Sequence, residues 1–409
     1  MSHQPQSTRK ATANVVSVLV SQERAYSLSA KEGWFEMVDA PDRKRPPTKT
    51  IKQLAALSDG QRLRYDELRA VWHANLGPIQ TPQLAQVHED LWEIVDSNRQ
   101  DGDKVKGAAS IDAHPGLGKT TIAVAFGRDF HRRQIELYGE DSTSGDQRIP
   151  VVYLALTGTT TMWTLNSMLC RFYAHPGAES GNATQLAGRA ADCVLSCDTK
   201  LVIIDDVHFL DMNRQDSRAV ANHFKWLANQ FPVTFVFVGV GLADRGLLTE
   251  GLGLADAAYA QTGRRWTPLT VTPFEVHTEN GRKTWRRLLL GIEQMLVLAN
   301  KHHGMVADDL ADYLYARSTG HFASLMTLVT RGCHRAIKSG EERLTAELLD
   351  RVKNDAAAEQ ARRELMASFG AGRLTARPRA RDANAKHIGI SRSANSAAGR
   401  GERRRRPRP

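Results

Sequence analysis

Cysteine is scarce: four in 409 residues, Cys170, Cys193, Cys197 and Cys333. None forms a C-x-x-C pair, which excludes a disulfide-dense scaffold and a zinc ribbon, and points to reduced thiols in a cytoplasmic setting. Cys193 and Cys197 stand four apart, on one face of a helix, and read as structural cysteines. Long apolar runs are also missing. None approaches the ~18 residues a membrane-spanning helix needs, so no membrane partner is expected. The apolar stretch Val15–Val20 is too short and too late for a signal peptide. Aromatic residues make up only 7% of the chain. Trp163, Phe172 and Trp226 fall at helix positions suited to core packing, and no ligand is assigned to them. No internal repeat is visible.

Acidic residues are missing from one region in particular. Residues 361–409 hold 14 Arg or Lys against 3 Asp or Glu, whereas the preceding residues hold 41 against 42. The net charge of +10 therefore belongs to the tail. Rich in Arg, Ala, Ser, Gly and Pro from Gly370 onward, the tail lacks the apolar surface that offsets the entropy of ordering, and is expected to be disordered. Its densest block, Arg403–Arg406, suits electrostatic contact with nucleic-acid phosphates; a solubilising tail is the plainer alternative.

What the sequence does have is a phosphate-binding loop. Ser110–Ala113 reads as the end of a buried strand, and His114-Pro115-Gly116-Leu117-Gly118-Lys119-Thr120-Thr121 as a glycine-rich turn opening a helix. Gly116 and Gly118 let the backbone curl so that successive N–H groups point at phosphate oxygens. The helix from Lys119 adds its positive dipole end. Lys119 is placed to reach β- and γ-phosphates and Thr120 to ligate Mg²⁺, which makes His114–Thr121 the expected ATP-binding segment. The full pattern has glycine where this chain has Ala113.

The second half of such a site follows in Leu201-Val202-Ile203-Ile204-Asp205-Asp206. An apolar strand carries two carboxylates to the C-terminal edge of a sheet, beside the loop. Asp205 is expected to hold Mg²⁺ opposite Thr120, and Asp206 to orient or deprotonate the attacking water. Many ATPases of this layout carry glutamate there. Aspartate is one methylene shorter, so turnover is expected to be slow.

Periodicity places these motifs in a parallel α/β sheet. Strands are expected over Ala108–Ala113, Pro150–Leu156, Leu201–Asp206, Val233–Gly239 and Trp266–Val271. Helices are expected from Lys119 to about Tyr138, over Thr160–Tyr173, Thr184–Ser196 and Arg214–Gln230. Ahead of the sheet, one helix starts at Ser58 and another at Thr81 (N-cap) and Pro82. Past Asn280 only helices are expected: 280–302, 306–317, 320–338 and 345–364. The expected divisions are an arm, loosely ordered, over 1–56, a helical segment over 57–104, a nucleotide-binding core over 105–275, a helical lid over 276–366 and the tail over 367–409.

Over about residues 60–350 the chain resembles the TniB/TnsC-type transposition regulators among the AAA+ ATPases. The resemblance rests on Ile79-Gln80-Thr81-Pro82, the phosphate loop, and Ile203–Leu210. It rests also on the helix Asn222–Gln230 leading to Phe231-Pro232-Val233, on Gln261-Thr262-Gly263-Arg264-Arg265-Trp266, and on Thr319–Gly340. It implies an AAA+ α/β core with a helical lid, and an ATPase that assembles as a ring or filament on DNA, without sequence preference. It implies further partners, a transposase or integrase and a target-selector protein. Arg264 or Arg265 would then be an arginine finger reaching a neighbouring subunit's γ-phosphate; a pair of surface arginines before an edge strand is the alternative. Two positions depart from the pattern. Gly239-Val240-Gly241 lacks the Asn or Thr of a first sensor, and Gly320-His321-Phe322 lacks a second-sensor arginine, leaving His321 as a capping or surface histidine. Lys283, Arg286 and Arg287 read as a solvated basic face. A signalling or defence NTPase switch, an origin- or helicase-loader ATPase, and an ATP-binding module with little hydrolysis are the competing readings.

Overall fold

The computed structural model describes residues 24–101, 106–209, 223–224, 226–228, 230–242 and 266–378. Most of the helix expected over Arg214–Gln230, the pair Arg264–Arg265, and the tail beyond 378 lie outside the described residues.

Five parallel strands form one sheet: β1 (Ala108–Ala113), β2 (Val151–Ala155), β3 (Leu201–Asp205), β4 (Thr234–Gly239) and β5 (Trp266–Val271), in the order β2-β3-β4-β1-β5. β2, β3 and β4 are continuous apolar runs buried on both faces, as a sheet covered by helices requires. β1 is built of small residues at its start, Ala108-Ala109-Ser110, all buried. β4 lies between β1 and β3 although it follows both in the chain. The tips of β1 and β3 therefore open onto a shared crevice at the sheet's C-terminal edge, where ligands of such sheets bind.

Ahead of the sheet run α1 (Lys31–Asp39), α2 (Ile51–Ala55), α3 (Asp59–Ala74) and α4 (Pro82–Ser97). The last three start where local chemistry says they should. Thr50 and Ser58 form capping boxes with Gln53 and Gln61, and the Thr81 hydroxyl accepts from the Leu84 amide.

The described part of the N-terminal arm is built into the fold rather than loose. Trp34 of α1 is fully buried and donates from Nε1 to His131 Nδ1 at 3.1 Å. His131 lies on α5 (Lys119–Tyr138), and Trp34 packs against that helix at Gly127, where a Cβ would stand 2.9 Å from the indole. The next stretch is tied down at both ends. Arg132 of α5 donates to the Val38 carbonyl, and Arg45 donates to the carbonyls of Met295 (3.4 Å) and Leu296 (3.1 Å).

Between β2 and β3 lie α6 (Met162–Phe172) and α7 (Ala183–Ser196). After β5 the chain is helical: α8 (Glu279–Met295), α9 (Ala311–Ser318), α10 (Phe322–Ser339), α11 (Ala346–Asp350) and α12 (Ala356–Gly370). These helices have their own core, around Trp285, Leu289, Leu314 and Leu325, which also takes in Ile79 from the entry to α4. Three expected helices are shorter or divided. Over 306–317 a π-helical turn, Met305–Asp309, precedes α9. α8 stops at Met295 because the next residues turn away: the Val297 amide donates to His73 Nε2 and the Trp72 indole to the Met295 carbonyl. The expected helix over 345–364 is two helices, because the buried Arg317 guanidinium takes the Leu349 and Val352 carbonyls at the break. The chain past Gly370 continues with Ala376 buried and its amide donating to Asp312 at 2.6 Å.

Candidate functional site

β1 feeds the loop and α5 carries it away. Ala113, where the pattern has glycine, is the last residue of β1, paired in register with Val271 and buried in the sheet core. It belongs to the strand and not the turn, so its methyl group takes no freedom from the loop. The turn itself depends on two left-handed glycines, Gly116 (φ +78°) and Gly118 (φ +84°), with Leu117 anchoring the loop between them. His114, Pro115 and Gly116 are exposed, and so are Thr120 and Thr121. Gly118 caps α5 without a side-chain partner, so the first-turn N–H groups of Lys119, Thr120 and Thr121 face outward for an anion.

β3 delivers the second half. The Thr120 hydroxyl donates to Asp205 Oδ2 at 2.6 Å, joining loop and strand tip. Asp205 is 1% exposed and accepts twice more: from the Tyr153 hydroxyl at 2.9 Å and from the Asp206 amide at 2.8 Å. Tyr153 was missed by sequence reasoning; the only signal is a phenol inside an otherwise aliphatic strand. Burial, reinforced by the Asp205 charge, holds its hydroxyl far above its ordinary range, so it stays a donor to the carboxylate. The oxygens of Thr120 and Asp205 form a hard, oxygen-only pair suited to Mg²⁺.

Asp206 differs from its neighbour. Its backbone is left-handed (φ +58°), a strained conformation for a non-glycine residue. Its side chain is half-exposed, with His208 Nδ1 at 3.8 Å. Partial burial and the Asp205 charge raise its carboxyl above the ordinary value, against the opposing pull of His208 and Lys119.

The tip of β4 carries no polar side chain, only Gly239-Val240-Gly241. Instead its backbone is gripped from β1: the amides of Gly241 and Leu242 donate to the two oxygens of Asp112, at 2.7 and 2.9 Å. Asp112 also escaped sequence reading, though an acid inside a buried strand is the mark of such a clasp. Gly239 permits the turn, since a Cβ there would stand 2.4 Å from Leu242.

The lid closes over the loop. The Ala323 amide, in the first turn of α10, donates to the Gly116 carbonyl at 2.9 Å. Gly320 packs so tightly on Phe274 that a Cβ would lie 2.1 Å from its carbonyl oxygen. His321 turns its ring back onto Thr319 (2.9 Å) and gives α10 no side-chain cap. On α8, Lys283 pairs with Glu279 and Arg286 with Asp308, as a solvated face would. Arg264 and Arg265 lie outside the described residues.

Beside the loop is a cavity of about 1050 Å³, bordered by Gly118, Thr121 and Ile122 of the loop helix, by Ile79 and Gln83, and by Phe322 and Met326 of α10. Two buried polar atoms on its wall, Tyr26 Oη and Gln83 Oε1, have no hydrogen-bond partner among the described residues. An apolar chamber with a few polar groups, opening onto a phosphate loop, fits a nucleotide base and ribose in size and character.

Residues 102–245 match the family model described as AAA domain. No curated protein matches the chain. Among solved structures, the ORC2 protein of Aeropyrum pernix, in ADPNP–ADP complexes, is similar with a TM-score of 0.51 at 14% identity, over 73% of this chain and 72% of that one. The Aeropyrum pernix ORC1 protein in complex with DNA is similar with a TM-score of 0.51 at 15% identity, over 73% and 69%. What is shared is the fold: an AAA+ P-loop core with a five-stranded parallel sheet, followed by a helical body.

Proposed function

We propose that the chain binds ATP, hydrolyses it slowly, and assembles with copies of itself on duplex DNA to regulate transposition, choosing target sites and recruiting a transposase or integrase. The observation that carries the nucleotide part is the Thr120–Asp205 hydrogen bond, which brings the phosphate loop and the β3 acid to one point. In this reading the backbone from His114 to Thr121 and the Lys119 ammonium hold the phosphates. Thr120 and Asp205 hold Mg²⁺, whose charge, when bound, stabilises that developing on the phosphate oxygens. Asp205 is fixed in direction by the Tyr153 hydroxyl and the Asp206 amide. Asp206, with its raised carboxyl, orients the attacking water and accepts its proton. Arg264 or Arg265 of a neighbouring copy completes the charge on the γ-phosphate.

The DNA part rests on the resemblance to transposition regulators, on the arginine-rich tail, and on the fold shared with an ORC1 protein seen in complex with DNA. The apolar tip of β4 favours a second reading, a nucleotide-bound switch with little turnover. Measuring ATP turnover with and without duplex DNA separates the two. Stimulation by DNA is expected. Turnover that is unaffected by DNA at every salt concentration would rule against action on DNA and leave the switch.

A further inference from the structure

The outer face of α10 carries Arg331, His334, Arg335 and Lys338 at intervals of three and four residues, so they share one side of the helix. Opposite them, Arg351 and Lys353 come from the turn between α11 and α12. Arg331 ties the two walls together by donating to the Lys353 carbonyl at 2.7 Å. Between the walls and α3 runs a groove of about 670 Å³, extended past Arg335 and Arg351 by a second hollow of about 170 Å³.

Two observations set this groove apart from an ordinary charged surface. First, among the described residues, no carboxylate forms a salt bridge with Arg331, Arg335, Lys338, Arg351 or Lys353. Lys283, Arg286 and Arg362, elsewhere on the lid, do have acidic partners. Second, His73 borders the groove, 2% exposed, and carries an unused donor. Its Nε2 accepts from the Val297 amide, and burial lowers its pKa to about 3, so the ring is neutral and the proton sits on Nδ1. That buried N–H has no acceptor among the described residues. A buried donor beside unpaired cations calls for an anion.

We propose that this groove binds the phosphate backbone of duplex DNA, giving the lid a nucleic-acid contact separate from the nucleotide site and from the tail. The inference rests on the DNA reading above and gives it a location. From Arg331 to Lys338 the helix rises about 10 Å, about the axial rise of three base pairs of duplex at 3.4 Å each. Beside the cations the lining includes Ala70, Ala74 and Val352, with Leu348 and Glu341 in the second hollow. It holds no Phe, Tyr or Trp on which unpaired bases would stack, which favours a duplex over a single strand.

The test uses the full chain and its triple variant Arg335→Glu/Lys338→Glu/Arg351→Glu, with Arg335→Gln/Lys338→Gln/Arg351→Gln as a milder form. Duplex affinity is read by fluorescence anisotropy across a salt series, with ATP binding and poly-glutamate binding measured in parallel. Both variants are expected to bind ATP as the parent does. Affinity for duplex is expected to fall at least tenfold at ~0.1 M salt, and the log–log salt slope to become shallower by about 2.7, or 0.9 for each lost contact. Parent-like affinity and slope in both variants would overturn the groove as a DNA site while leaving DNA binding itself intact. Unchanged duplex binding with lost poly-glutamate binding would make it an acidic-peptide site, again overturning the proposal. A parent that binds no duplex at all would remove the DNA reading and the groove together.

Discussion

The Ala323 amide donates to the Gly116 carbonyl at 2.9 Å, so the first turn of α10 is hydrogen-bonded to the turn that would wrap the phosphates. The loop cannot change shape around a ligand without the lid sensing it, and the lid cannot swing without releasing a loop carbonyl. Gly320 holds that contact in place, being wedged against Phe274, whose amide donates to the Gly320 carbonyl at 2.9 Å.

Gly320→Ala is accordingly expected to destabilise the fold by more than about 2 kcal/mol, since it combines a positive φ with a backbone clash. ATP affinity should fall as the lid shifts off the loop. Thermal denaturation and nucleotide titration check both. An alanine variant with parent-like melting and affinity would mean the lid docks less tightly than its geometry indicates.

Lys119→Ala is expected to weaken ATP binding at least ~100-fold while leaving the melting temperature of the nucleotide-free chain within a few degrees, because Lys119 is not a core residue. Asp206→Asn should bind ATP normally and lose about 10²-fold or more in turnover. Equilibrium titration and a phosphate-release assay separate the two effects. Normal turnover in Asp206→Asn would remove Asp206 from the chemistry.

The phosphate loop and the β3 acids were legible because each is a local pattern whose chemistry needs neighbours in sequence. Gly116, Gly118, Lys119 and Thr120 stand within five positions, and the four apolar residues before Asp205 declare a buried strand. Tyr153 and Asp112 were not legible for the opposite reason. Their partners, Asp205 and the Gly241–Leu242 amides, are far away in the chain and come near only once the strand order is set. The arm misled by composition: Lys31–Asp39 is half polar, yet one tryptophan on its inner face is enough to seat it against α5. Apolar periodicity likewise ran on past Met295, where contacts from α3 and the arm, invisible locally, end α8.

Stability should decline on acidification, in a defined window. His131 Nδ1 accepts from Trp34 only while the ring is neutral, and burial lowers its pKa to about 4. In the unfolded chain the same ring titrates near 6.5. Between those values the unfolded state takes up a proton that the native state refuses, so stability is full above pH 6.5 and is lost as pH falls toward 4. The difference is on the order of 3 kcal/mol for this ring. Urea midpoints at pH 7.5 and pH 5 should therefore differ, and His131→Gln should shrink that difference. It should not abolish it, because His73 titrates in the same sense. Identical midpoints at the two pH values would contradict the buried, neutral assignment.

Glu342 is 1% exposed and is held by Arg69 at 2.6 Å, itself 1% exposed, by Arg62 at 3.0 Å and by the Ala299 amide at 3.1 Å. Glu342→Gln removes the buried one of the two carboxylates that meet the Arg69 guanidinium, a change expected to cost roughly 3–5 kcal/mol. Chemical denaturation of the full chain measures it. A loss under ~1 kcal/mol would show that Asp66, which also meets Arg69, suffices alone.

The stretch from Val38 to Arg45 acts as a leash. One end is fastened to the loop helix through Arg132, the other to the end of α8 through Arg45. Seven residue steps can stretch to about 25 Å at most, and that length caps how far the sheet and the lid can part while both knots hold. Any wider gape must first untie an arginine, which makes the widest separation of sheet and lid a property of chain length.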